Sequence, residues 1–153
     1  MLGSRFSDAL GDFASARSGA VAAETALVLP LMTFVLYAII RFGAAYNADI
    51  SLTDAARMSV RELAVGRESA TVYTDTMARF NSAAGFLDTS KAVVTMKINN
   101  TTCASNATCQ TLMNGASGQT ARLEASYPCN LKVVGVDFAP GCMLSANIAQ
   151  RIE

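Results

Sequence analysis

From Thr25 to Ile40 the chain carries no charged side chain. Counted from Ala20, this apolar segment is 21 residues long. As an α-helix it rises ~31 Å, close to the ~30 Å hydrocarbon thickness of a bilayer. Such a stretch has one main solution, a membrane-spanning helix, because a helix satisfies its backbone polar groups internally. One carboxylate, Glu24, stands at the head of the segment, five positions after Gly19. A charge on such a helix is costly and calls for a partner or a function. By helix rise Glu24 is only ~6 Å into the segment, so snorkelling to the interface is also open to it.

Pro30 lies inside the segment, where it removes one backbone hydrogen bond and is expected to kink the helix. Tyr37, Arg41 and Tyr46 suit the far interface, where amphipathic rings and a snorkelling arginine settle. Two arginines precede the segment closely and one follows, a charge bias that slightly favours a cytoplasmic N-terminus. Residues 1–19 form a polar leader with Arg5 and Arg17 balanced by Asp8 and Asp12. It lacks apolar periodicity and is expected to be irregular or weakly helical.

The helix is expected to continue beyond the membrane over residues 41–66. Phe42, Ala45, Asp49, Leu52, Ala56, Ser59 and Leu63 recur by three and four residues and share one stripe. The stripe is rich in small residues, so it suits packing against another helix as well as against the chain's own domain. Asp54 and Arg57 can pair at i, i+3, and Gly66 is a natural stop. Residues 67–153 then form a small α+β domain: a helix over 68–84, followed by strands within 91–98, 120–127, 131–134 and 142–148 in an antiparallel sheet. The polar stretch 99–118 reads as a loop. At 87 residues this part buries a modest core, for which disulfides are a sensible supplement.

Composition narrows the function. Charged residues are only 16% of the chain, net charge is zero and no basic cluster exists, so a nucleic-acid partner has no electrostatic footprint. Histidine is absent, which removes the usual general base, the common nucleophile pairs and most zinc sites. No Gly-rich phosphate loop appears. These features argue for a non-enzymatic chain without metal or cofactor. Glu124 and Asp137 read as isolated surface or strand-pairing carboxylates. The four cysteines, Cys103, Cys109, Cys129 and Cys142, lie in the last third. An even number behind a membrane segment reads as two disulfides in an oxidising compartment, with three pairings open. Cys103–Cys109 and Cys129–Cys142 are favoured because each closes a short loop rich in turn formers.

At this point the residues carry a family resemblance. Gly19, four small or apolar residues and Glu24 at the head of an apolar helix resemble the prepilin signature of type IV-like pilins. The run Arg17-Ser18-Gly19-Ala20-Val21-Ala22-Ala23-Glu24, with Ala26-Leu27-Val28-Leu29-Pro30-Leu31, is closer still to the TadE-like minor pilins, or pseudopilins. Arg41-Phe42-Gly43 and Asp54-Ala55-Ala56-Arg57 extend the likeness. The residue after the glutamate, often Phe or Tyr in such pilins, is Thr25 here. The resemblance implies a part in assembling a tight-adherence (Flp-type) pilus, with cleavage between Gly19 and Ala20 by a prepilin peptidase. It implies that Glu24 and Thr25 serve peptidase recognition and subunit docking. It also implies a single-pass protein of the bacterial inner membrane, cytoplasmic at its N-terminus and periplasmic beyond the helix, that later reaches the pilus. Its partners would be other pilin subunits, a second minor pilin, the peptidase and the inner-membrane assembly platform. The rival expectation is an uncleaved, signal-anchored periplasmic binding or adhesion module.

Overall fold

The computed structural model describes residues 3–133 and 135–153, with residues 3–18 and 20 described by their helical backbone only. The architecture is α+β: a long N-terminal apolar helix, short helices, an antiparallel sheet and two disulfides. In order these are α1 (Gly3–Val65), α2 (Val72–Ala83), a 3-10 turn (Thr89–Lys91), β1 (Val93–Ile98), β2 (Thr101–Cys103) and α3 (Asn106–Met113). They are followed by β3 (Thr120–Pro128), β4 (Lys132–Val133), β5 (Val136–Asp137) and β6 (Met143–Arg151). The chain divides into two compact units, one ending at Ile40 and the other running from Arg41 to Glu153.

α1 begins at Gly3, inside the leader expected to be irregular or weakly helical, and it is the helical alternative that the structure shows. The composition allows this: Ala9, Leu10, Ala14 and Ala16 are good helix formers, and no proline interrupts them. The helix also runs through Pro30 without a break.

In the unit from Arg41 onward, the stripe on α1 is unevenly used. Phe42 is exposed and Ala45 and Asp49 are half-buried, whereas Leu52, Ala56, Ser59 and Leu63 are buried. Ala55, Val60 and Ala64 join them in the domain's core. Ser59 is tolerable there because its hydroxyl donates to the Ala55 carbonyl at 2.6 Å. The apolar side of α2 contributes Val72, Thr76 and Phe80, and Thr76 likewise donates to the Val72 carbonyl at 2.7 Å. Gly85, at φ 58°, then turns the chain out of α2 in a conformation that suits glycine.

Gly66 ends α1 for a different reason. Its φ is not in the left-handed region. A Cβ at this position would lie 2.6 Å from Val72 Cγ2 and 3.0 Å from the Glu62 carbonyl oxygen. The glycine therefore permits the close approach of α2 to the end of α1.

The sheet order is β2-β1-β3-β6, antiparallel throughout. β3 alternates as its sequence implies: Ala121, Leu123 and Ala125 face the core, and Arg122, Glu124 and Ser126 lie on the other face, half-buried. Met96, Ile98 and Ile152 complete the core floor. The carboxylate of Glu124 is not isolated. It accepts from Lys97 Nζ at 2.7 Å, a half-buried pair between neighbouring strands.

The polar stretch 99–118 is a supersecondary unit rather than a loop. Asn99 and Asn100 take positive φ of 47° and 65°, making the two-residue hairpin turn from β1 to β2. Ser105 then caps α3. Its hydroxyl accepts from the Thr108 N–H at 3.3 Å, while the Ser105 N–H donates to Thr108 Oγ1 at 3.0 Å, a capping box built with threonine. Cys103–Cys109 ties β2 to α3, with Cα atoms 4.8 Å apart. The strand expected over 131–134 is only Lys132–Val133, paired with β5 in a ribbon separate from the main sheet; Val134 lies outside the described residues. Cys129–Cys142, with Cα atoms 5.4 Å apart, closes this ribbon just past the last β3–β6 pair.

Candidate functional site

The residues singled out by sequence lie on one stretch of α1. Gly19 is exposed, and a Cβ placed on it would meet none of the described residues within 4 Å. The helix therefore does not need a glycine there for space, and glycine costs a helix interior ~0.5–1 kcal/mol relative to alanine. Ala20 is in the helix, but its side chain lies outside the described set, as do those of Arg17 and Ser18. Glu24 is exposed, and among the described residues it forms no ion pair. Glu24 and residue 20 are four apart on a helix and so share one face.

Thr25 is exposed, yet its hydroxyl is not free. It lies 2.9 Å from the Val21 carbonyl oxygen and 3.0 Å from that of Ala22, and donates into this pair. Thr33, which sequence reasoning passed over, does the same to the Leu29 carbonyl at 2.7 Å. The signal for both was simple: they are hydroxyl residues inside an uncharged run, where the backbone is the available acceptor. Pro30 is exposed and lacks an N–H, so the Ala26 carbonyl loses its usual partner four residues on.

Around these groups the surface is apolar and uncovered by this chain. Leu27 is 79% exposed, Leu29 65%, Leu36 62% and Ile40 66%. An 18-residue window here reaches a mean hydropathy of 2.0, with none of it buried inside the structure. A contiguous apolar surface of this kind marks a membrane or protein interface. Tyr37 and Arg41, at the end of the run, are each half-buried.

The C-terminal unit offers shallower features. A depression of about 440 Å³ lies on the outer face of the sheet, lined by residues including Thr95, Glu124, Ser126, Ser145 and Asn147. The chain has no histidine to activate either serine. A smaller groove of about 200 Å³ runs between Ala44, Ala45 and Ala48 on α1 and Tyr127, Pro128 and Leu144. The Asp54–Arg57 pair is present at 3.7 Å but exposed on both sides, so it adds little. The four cysteines are paired, two at the β2–α3 junction and two at the base of the β4–β5 ribbon.

Residues 19–61 match the family model described as TadE-like protein, just over a quarter of the chain. No curated protein and no solved structure gave a match. The matched interval opens on Gly19, takes in Glu24, Thr25 and Pro30, and closes inside the buried part of α1.

Proposed function

We propose, from the premise that residues 19–61 are TadE-like, that this chain is a membrane-anchored minor pilin of a Tad-type pilus. Its role is structural, and its natural partners are other pilin subunits. One observation carries the reading. The matched interval opens on a glycine that its own helix has no steric use for, followed at the fifth position by a carboxylate without a partner among the described residues. Both residues make sense if the stretch is completed by other molecules.

In this reading a prepilin peptidase cuts between Gly19 and Ala20 on the cytoplasmic side. The new amine at Ala20 becomes a partner for the Glu24 carboxylate, on its own helix or on a neighbour. A charge held in an apolar surrounding is tolerable when it is paired and hydrogen-bonded. Leucine, valine and alanine side chains between Val21 and Ile40 anchor the subunit in the inner membrane and later pack against other helices in the assembly, together with a second minor pilin and the inner-membrane platform. Pro30 bends or loosens the helix at the Ala26 carbonyl. Residues 41–66 continue the helix into the periplasm, and residues 67–153 fold onto its buried face from Leu52 onward as the periplasmic domain, where the two disulfides are stable.

The deciding experiment is the identity of the N-terminus. The full chain is expressed with and without a prepilin peptidase and examined by mass spectrometry. The expected product begins at Ala20 and disappears when Gly19 is replaced by a bulky residue. An intact leader in the native host overturns the reading and favours an uncleaved, signal-anchored adhesion module. A second measurement isolates Glu24. Glu24→Gln is expected to be cleaved normally but excluded from filaments, as scored by shear fractions. Normal incorporation removes the docking role from this residue.

A further inference from the structure

The two edges of the main sheet are treated differently. Sheets present unpaired N–H and C=O groups at their edges, and proteins ordinarily blunt them with short strands, prolines, lysines or bulges. At one edge β2 is three residues long and is tethered to α3 by Cys103–Cys109. At the other edge β6 is nine residues long. Its pairing with β3 runs without a bulge from Thr120–Arg151 to Pro128–Met143. Its sequence, Met143-Leu144-Ser145-Ala146-Asn147-Ile148-Ala149-Gln150-Arg151, contains no proline, lysine or glycine. Of the usual protections it carries only a single charge, Arg151 at its last position.

The direction of its free groups follows from two bonds at its ends. The Cys129 N–H donates to the Cys142 carbonyl at 3.1 Å, and the Ile152 N–H donates to the Gln119 carbonyl at 2.9 Å. Even-numbered residues therefore turn their backbone toward β3. By the alternation of an antiparallel ladder, Met143, Ser145, Asn147, Ala149 and Arg151 turn theirs to the open side. All five are exposed.

We infer that β6 is a strand-pairing surface whose occupant is β6 of a second copy of this chain, antiparallel and centred on Asn147. Charge selects this arrangement. Arg151 is the one ionisable side chain in the strand. An antiparallel pair keeps the two Arg151 residues at opposite ends, each facing Met143, whereas a parallel in-register pair sets them side by side, which is unfavourable. Centring on Asn147 also matches outward-turned residues to one another: Ser145 meets Ala149, and Asn147 meets its own counterpart. On the core-facing side, half-buried Ile148 meets the small Ala146 of the other copy, large against small. The sheets of two copies then form one continuous sheet.

The test uses the full chain in detergent micelles, with a photo-activatable amino acid at Ser145 and, as control, at Thr102 on the β2 edge. The expected product is a cross-linked homodimer from the Ser145 probe alone, mapped by mass spectrometry to residues 143–151 of the second copy. Asn147→Lys sets two ammonium groups opposite each other across the pair and is expected to abolish that product. Asn147→Pro removes an N–H that the β3 ladder does not use, which an edge strand tolerates, and is expected to do the same with circular dichroism unchanged. Absence of the homodimer in the unsubstituted strand, its survival in both variants, or a cross-link to a different segment or a different protein overturns the inference. N-terminal processing at Gly19 is unaffected by any of these changes, so this result and the pilin reading stand or fall separately.

Discussion

Two stretches of α1 share one secondary structure and live in opposite surroundings. From Val21 to Leu36 every described side chain is exposed, while between Leu52 and Ala64 one face is sealed inside the domain. The first stretch is more apolar than the second, yet it is the one this chain leaves uncovered. Hydrophobicity alone therefore does not decide which part of a helix enters its own core. The second stretch interleaves Leu52, Val60 and Leu63 with Arg57, Arg61 and Glu62, giving one wet and one dry side. The first has no wet side, and an all-round apolar helix needs an apolar medium.

The largest expected effect sets these stretches against each other. Leu63→Ala in the buried stretch is expected to cost about 2–5 kcal/mol in urea unfolding of the domain, through lost contacts and a cavity. Leu29→Ala is expected to leave the same transition within about 0.5 kcal/mol. Equal shifts for the two would erase the distinction.

A sharper version uses one substitution at two glycines of the same region. Gly66→Ala forces a methyl group against Val72 and the Glu62 carbonyl and is expected to destabilise by about 1–3 kcal/mol. Gly43→Ala meets nothing within 4 Å. It is expected to stabilise by up to about 1 kcal/mol, because alanine is the better helix former. Thermal melts of both proteins read the difference in sign. Destabilisation by both would mean that residues around Gly43 are packed as tightly as the end of the helix.

The smallest expected effect is a control outside both stretches. The Asp88 carboxyl is held below the usual carboxylate range, first by the Ser90 hydroxyl and then by Lys91, whose ammonium lies at 2.9 Å and is in turn raised. A lowered carboxylate stabilises above its unfolded pKa, and that contribution is lost as pH falls through the folded value. The raised lysine contributes below its unfolded pKa and loses its share only at strongly alkaline pH. Stability from this pair is thus flat across neutral pH. Asp88→Asn is expected to leave the neutral melting temperature almost unchanged, since both groups are exposed. Any small difference from the unsubstituted protein is expected to vanish in acid.

What could be read in advance follows the same division. The uncharged run and the alternation of Ala121, Leu123 and Ala125 are local patterns, and each has a direct structural counterpart, in α1 and in β3. The unit formed by β2 and α3 was not legible. Its threonines, asparagines and serines resemble a loop by composition, and its order comes from a capping box and a covalent tie. Nor could sequence tell that α1 enters the core only from Leu52, because that depends on where α2 and the sheet close over it. Gly66 looked like an ordinary helix stop, whereas its role is steric. For the candidate stretch, the structure adds a negative that sequence cannot supply: a Cβ at Gly19 would meet none of the described residues within 4 Å.

The hydroxyls of Thr25 and Thr33 have a further consequence. Each is already bonded to a carbonyl of its own helix. They travel as self-contained groups, asking nothing of whatever surrounds them. When such a helix leaves lipid for a bundle of like helices, these two positions enter with their hydrogen bonds already made. On the pilin reading proposed above, that step would turn on Glu24, the one charged side chain between Ala20 and Ile40.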